Sequence, residues 1–229
     1  MHRSLSSLAL VVGAAWLAGT ATPAPADPTA PAGDPPALVT LGRLLFFDAG
    51  LSEPPGQACS TCHEPGHAFT DPDAKRPTSK GAHRDRFGSR NTPSAMYMAY
   101  SPPFRFDEQE QHYVGGQFWD GRATSLEEQA KGPLLNPVEM ANPDKRTVVA
   151  KVRASSRLAP RFDQLWGVGA LDDVDVAYER IVAAIAAFER SPELAPFTSK
   201  YDAYLAGTAR LAAAELRGLK LFEDEKKGN

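Results

Sequence analysis

The chain has 229 residues, 25 of them basic and 28 acidic, and its formal net charge is −3. It lacks the clustered basic stretch that nucleic-acid binding calls for, so no nucleic-acid partner is expected. Two cysteines, Cys59 and Cys62, are too few for a disulfide framework.

Residues 1–26 contain Arg3, an apolar run from Leu8 to Ala18, and Ala24-Pro25-Ala26 as a small-residue cleavage site. This is the pattern of a secretory signal peptide, with an apolar run too short to cross a bilayer. No other stretch is long and apolar enough for a membrane helix, so no membrane span is expected once the signal is removed. Removal takes Arg3 and no acid, leaving the mature chain slightly more acidic. Residues 27–37 are rich in Pro, Ala and Gly and read as a disordered leader. Leu38, Leu41, Leu44 and Leu45 then mark a helix.

Cys59-Ser60-Thr61-Cys62-His63 follows, a CxxCH motif. Its thiols can form thioethers with the two vinyl groups of a haem, and His63 can ligate the iron. The spacing matters because one short turn must reach both vinyls while aiming an imidazole at the metal. Zinc held by Cys59, Cys62, His63 and His67 is a second reading of these residues, and a Cys59–Cys62 disulfide is a third. Structural zinc sites usually draw their ligands from two separated pairs, and a disulfide has no use for the attached histidine. Covalent haem c, one in this chain, is therefore the expected cofactor. Attachment of c-type haem takes place outside the cytoplasm, so motif and signal agree on the periplasm.

Residues 64–118 carry scattered Pro, Gly, Asp and Ser with little periodicity. A long irregular stretch in a compact domain is usually functional or disordered; directly after the CxxCH it is expected to wrap a haem edge as loops. Further on, Val174, Tyr178, Ile181, Ile185 and Phe188 form one apolar helical stripe after the acidic start at Asp172-Asp173. Leu211, Leu216, Leu219 and Phe222 predict another helix opening near Thr208. Gly42–Asp48 and Gly218–Asp224 both read G-x-x-L-F-x-D. If the first copy begins a haem domain, the second is expected to begin another, although a match over seven residues also arises by chance or from shared amphipathicity. The chain reaches Asn229 without a second CxxCH, and a truncated second domain is the expectation.

Five motifs occur in order: Cys59–His63, Arg90-Asn91-Thr92-Pro93-Ser94, Gln117-Phe118-Trp119-Asp120-Gly121-Arg122, Leu126-Glu127-Glu128-Gln129-Ala130 and Asn136-Pro137-Val138-Glu139-Met140. With them the chain, from about Leu41 to Asn229, resembles the bacterial di-haem cytochrome c peroxidase family, which includes MauG-like enzymes. The resemblance implies an all-α architecture. It comprises a cytochrome c-like haem domain with long loops over residues 38–206, then the first helix of a second such domain over residues 207–229. In that family the N-terminal domain holds the peroxide-reducing haem. The C-terminal domain holds a second haem that receives electrons from a small periplasmic donor, a cytochrome c or a cupredoxin. Hydrogen peroxide is the implied substrate, and a homodimer the implied assembly.

The resemblance also implies roles for residues. Glu139 and Gln129 match the active-site pair. A carboxylate beside the iron can move a proton between the peroxide oxygens, while an amide holds peroxide by hydrogen bonds without titrating. Gln109, Gln111 and Gln117 are rivals of Gln129. Trp119 matches a tryptophan between the two haems, although a Trp is more often simply core. His83, seven residues before Arg90, stands where the family's peroxidases place a second iron ligand. In relatives with a Phe-Gly-x-Arg-Asn sequence like Phe87–Asn91, that histidine need not occur. His67 and His112 are alternatives, as are Met96, Met98 and Met140 in a simple electron carrier. Asn91 corresponds to a calcium ligand at the domain junction, or else to a plain turn residue. Arg90 and Arg122 suit haem propionates or loop bracing. Asp107–Gly116 departs from the pattern by its extra length. Three functions compete: peroxidase, MauG-like oxidase, and electron carrier without catalysis. The length of the segment from Phe87 to Met140 favours an enzyme.

Overall fold

The computed structural model describes residues 35–224, 226 and 227. The expected signal peptide and most of the leader lie outside the described residues. The leader's last residues do not: helix α1 spans Pro35–Phe46, so Pro35, Pro36 and Ala37 belong to it. Proline suits a first helical turn, where its missing N–H has no partner to lose. In chain order follow α2 (Cys59–Cys62), α3 (Leu126–Leu135), α4 (Lys145–Ala154), α5 (Ala159–Trp166), α6 (Val174–Glu189), α7 (Lys200–Leu205) and α8 (Ala213–Phe222).

The expectation of an all-α chain needs one correction. Strands β1 (Arg105–Asp107) and β2 (His112–Val114) pair antiparallel, Phe106 opposite Tyr113. The Asp107 carboxylate accepts from the backbone N–H groups of Gln109 and Glu110, closing the turn. Phe104 stacks on Tyr113 at 5.2 Å between ring centroids. The extra length of Asp107–Gly116 is therefore largely a hairpin, held by a side-chain-capped turn and cross-strand aromatics.

Helix α6 is the centre of the fold and packs against α1, α3 and α4. The Asp173 carboxylate caps it, accepting from the N–H groups of Asp175 and Val176. Of the predicted stripe, Tyr178, Ile181, Ile185 and Phe188 are buried, and Val174 packs against the core's edge. The Tyr178 hydroxyl donates to the Lys131 carbonyl at 2.7 Å, tying α6 to α3. From α1 the same core receives Leu41, Leu45 and Phe46.

The two copies of the repeat are both helical but differ in surroundings. At Gly42 a Cβ would lie 1.8 Å from the Ala184 carbonyl oxygen, so glycine is what lets α1 approach α6. At Gly218 a Cβ would meet nothing within 4 Å among the described residues, and Phe222 is 73 % exposed. Helix α8 starts at Ala213 rather than near Thr208, leaving Leu211 outside it. The Glu215 carboxylate accepts from the Ala212 N–H at 2.6 Å and sets that start.

Candidate haem cavity

A cavity of about 410 Å³ opens beside α2. The CxxCH motif forms one tight turn of its wall. The Ala58 N–H donates to the Thr61 hydroxyl, and the His63 N–H donates to the Cys59 carbonyl. Both thiols are free, not paired as a disulfide. Burial pushes Cys59 up to about 12 and Cys62 up to about 11. Such thiols are neutral at ordinary pH. The His63 Nδ1 lies 2.9 Å from the Phe69 carbonyl oxygen. That contact assigns the proton to Nδ1 and leaves Nε2 as the lone-pair nitrogen that a metal needs. Burial, foremost, holds the His63 pKa below its ordinary value, which favours the neutral, ligating form.

Apolar side chains from three helices complete this part of the wall: Phe46 from α1, Leu126, Ala130 and Leu134 from α3, and Ile185 from α6. Two thiols, an oriented imidazole and a broad apolar lining fit a covalently attached haem. The zinc alternative has no such support, since no group of three or more His, Cys, Asp or Glu side chains is arranged to hold a metal ion among the described residues.

Glu139 and Gln129 line the same cavity. Gln129 is half-buried on α3, whose N-cap Ser125 accepts from the Glu128 N–H. Glu139 stands in the turn that follows α3, and its Oε1 accepts from the Asn136 side-chain amide at 3.0 Å. Burial raises the Glu139 pKa above its ordinary value, opposed by the Asn136 hydrogen bond and by the charge of Arg122. The Ala82 N–H donates to the Glu139 carbonyl at 2.7 Å. A Cβ at Gly81 would sit 2.3 Å from the Val138 carbonyl oxygen, so the Gly81 loop presses directly on the turn carrying Glu139.

Among the rival amides, Gln117 also lines the cavity, but its amide nitrogen donates to the Met98 carbonyl at 3.2 Å. Gln109 and Gln111 belong to the hairpin. His83 does not line the cavity; it sits in a turn where its carbonyl accepts from the Arg86 N–H. His67 is bound to Glu64 at 2.7 Å and His112 lies in β2. Of the methionines considered, Met98 lines the cavity, Met140 is core, and Met96 packs against the core.

Trp119 is 62 % exposed, which rules out the plain core role. Its indole N–H donates to the Asn91 carbonyl at 2.7 Å, and both residues lie on the cavity rim. The Asn91 amide donates to the Pro77 carbonyl. Arg90 and Arg122 both pair with Asp120, at 2.8 and 2.7 Å, and hold its carboxyl down to about 2. Arg122 also lies 3.6 Å over the Phe118 ring. These arginines brace the loop.

The family model described as di-haem cytochrome c peroxidase matches residues 36–210. The chain belongs to that family. The methylamine utilization protein MauG of Paracoccus denitrificans (strain Pd 1222) is 42 % identical over 221 residues, covering 95 % of this chain and 54 % of that protein. The cytochrome c551 peroxidase of Nitrosomonas europaea is 34 % identical over 188 residues, covering 81 % of this chain and 48 % of that one. The crystal structure of the diheme peroxidase BthA from Burkholderia thailandensis E264 superposes with a TM-score of 0.77 at 37 % identity, covering 86 % of this chain and 50 % of that chain. This chain thus spans about half the length of the relatives it matches.

One wall residue escaped the sequence reading. Glu189 ends α6, is 8 % exposed, and lines the cavity one turn after Ile185. It continues the apolar stripe at i+4 from Ile185, a signal that was present in the spacing.

Proposed function

We propose that this chain carries the peroxide-reacting haem of a di-haem enzyme. Cys59 and Cys62 hold the haem covalently, and the Nε2 of His63 ligates its iron. The supporting observation is that one cavity gathers the CxxCH turn, a half-buried carboxyl and an amide from separate parts of the chain. When bound, the haem supplies the redox and Lewis-acid centre at which peroxide is reduced. Reduction of hydrogen peroxide to two waters consumes two electrons and two protons. Glu139 holds and delivers a proton to the departing oxygen, its raised pKa keeping a proton available nearer neutral pH. Gln129 orients peroxide with its amide, since it offers both donor and acceptor and does not titrate. Electrons come from a small periplasmic redox protein, and Trp119 on the rim is their point of passage from a second haem. Secretion follows from the sequence of residues 1–26. No helix among the described residues is long and apolar enough to cross a membrane. Calcium at Asn91 rests on the family resemblance.

A MauG-like oxidase, acting on another substrate through the same haem, is the second reading. The position of His83 outside the cavity supports it, because no second histidine would then be at hand to ligate a haem iron there. The carboxyl and amide in the wall speak against an electron carrier without catalysis. The test is optical and paramagnetic-resonance spectroscopy of the haem-loaded chain and its His83→Ala variant, before and after peroxide. A high-spin resting haem, reactive with peroxide and unchanged by the substitution, is the expected result. A low-spin haem that turns high-spin in the variant would restore His83 as a ligand and favour the peroxidase.

A further inference from the structure

The proposed chemistry leaves unused a carboxyl of the cavity wall that is both buried and unpaired with any cation of the described residues. Glu189 is buried, and its Oε2 has no hydrogen-bond partner among the described residues; the Oγ of buried Ser191 is likewise unpartnered among them. The cation next to it does not neutralise it. Arg190 is turned to Glu127 on α3, with nitrogen–oxygen distances of 2.6 and 3.0 Å. The groups that act on Glu189 are therefore Arg190, Glu127 and, across the cavity wall, Cys59 of α2. Charged residues of the other helices packed on α6 are engaged elsewhere. Arg43 of α1 pairs with Glu193, Lys131 of α3 with Glu128 and Glu179, and Lys145, Lys151 and Arg153 of α4 with Asp175, Glu53 and Asp172. Arg146 of α4 acts on Asp144. Burial pushes the Glu189 carboxyl up to about 8, helped by Glu127 and opposed by Arg190.

We propose that Glu189 is the redox-linked proton-binding residue of this cavity. Where Glu189 is ionised in the ferric state, conversion of the haem iron to ferrous by an external one-electron donor draws one solvent proton onto its carboxylate. This rests on the haem reading of the cavity. An added electron is an added negative charge inside a poorly solvated wall, and a carboxylate in that wall opposes it. Protonation removes the opposition, so the cavity's net charge is unchanged by the combined step. Linkage makes the effect reciprocal: protonated Glu189 makes the haem easier to reduce. Glu189 acts on the reaction through the haem's potential, as a positioning residue rather than as one that touches peroxide.

The experiment is a redox titration of the haem-loaded chain and its Glu189→Gln variant at pH values from below to above 8. A pyridine haemochrome assay on each sample checks that haem is covalently bound. In the wild type the potential is expected to fall as pH rises through that value, by roughly tenfold in the reduction equilibrium for one charge at an effective permittivity near 20. In Glu189→Gln, whose amide imitates the neutral acid, the potential is expected to stay at its low-pH level. An unchanged pH-dependent limb in the variant overturns the proposal. If the variant fails to hold haem, reduced-minus-oxidised infrared spectra of the wild type decide. A protonated-carboxyl carbonyl band gained on reduction near pH 8 supports the proposal, and its absence overturns it. Absence of covalent haem in the wild type would instead sink the haem reading itself.

Discussion

Gly42→Ala and Gly218→Ala are the same substitution at equivalent positions of the G-x-x-L-F-x-D repeat, and they should have opposite effects. At Gly42 the new methyl would stand 1.8 Å from the Ala184 carbonyl oxygen, 2.6 Å from its carbon and 3.0 Å from the Phe188 Cβ. Two of these atoms are backbone of the central helix, which cannot rotate away as a side chain would. Helices α1 and α6 must separate by about 1.5 Å to restore ordinary contact. That separation loosens the packing of Leu41, Leu45 and Phe46, all buried. With backbone atoms in the way, the cost stands at the top of the usual range for overpacking, about 3 kcal/mol, and the gain of about 1 kcal/mol in helix propensity offsets only part of it. A net loss of about 2 kcal/mol lowers Tm by roughly 4–8 °C for a domain of this size. Gly218→Ala meets no atom of the described residues within 4 Å, so only the propensity gain remains and Tm should hold or rise by a few degrees. Thermal unfolding of the haem-loaded variants, followed by far-ultraviolet circular dichroism, makes the comparison. The reasoning is refuted if Gly42→Ala melts at or above the wild type, or if both substitutions lower Tm equally.

Three further outcomes follow from the site. Glu139→Gln should retain covalent haem yet react with peroxide about 10²–10⁴-fold more slowly in stopped-flow measurements, the usual worth of a general acid–base group; an unchanged rate would remove Glu139 from the chemistry. Glu189 should make stability pH-dependent. Its folded pKa of about 8 lies above the ordinary 4.5, so its stabilising contribution is complete below 4.5 and is lost as pH rises through 8. Urea midpoints should accordingly show Glu189→Gln gaining on the wild type as pH rises, and parallel curves would contradict this. Trp119→Phe should alter stability by no more than about 1 kcal/mol, because the indole is largely exposed and loses one hydrogen bond to Asn91. A loss of several kcal/mol in chemical denaturation would return it to the core.

What the chain's order of residues determines by itself is what lies within one or two turns. Cys59, Cys62 and His63 must share a turn whatever else folds, so their chemistry is legible in their spacing. The stripe from Val174 to Phe188 likewise follows from helical period and a capping Asp173. Only tertiary structure decides which distant groups meet. Cys62 and Glu139 face one cavity because irregular loops, the β1–β2 hairpin and α3 together carry the chain back to α2. The exclusion of His83 from the wall and the capture of Arg90 and Arg122 by Asp120 are decided the same way. Gly42 and Gly218 make the point most directly. A shared G-x-x-L-F-x-D pattern yields two helices, and only contact with Ala184 makes one glycine indispensable. Local spacing encodes the backbone's short-range hydrogen bonds, whereas desolvation, which sets the proton affinities of Glu139 and Glu189, exists only once the chain has closed around them.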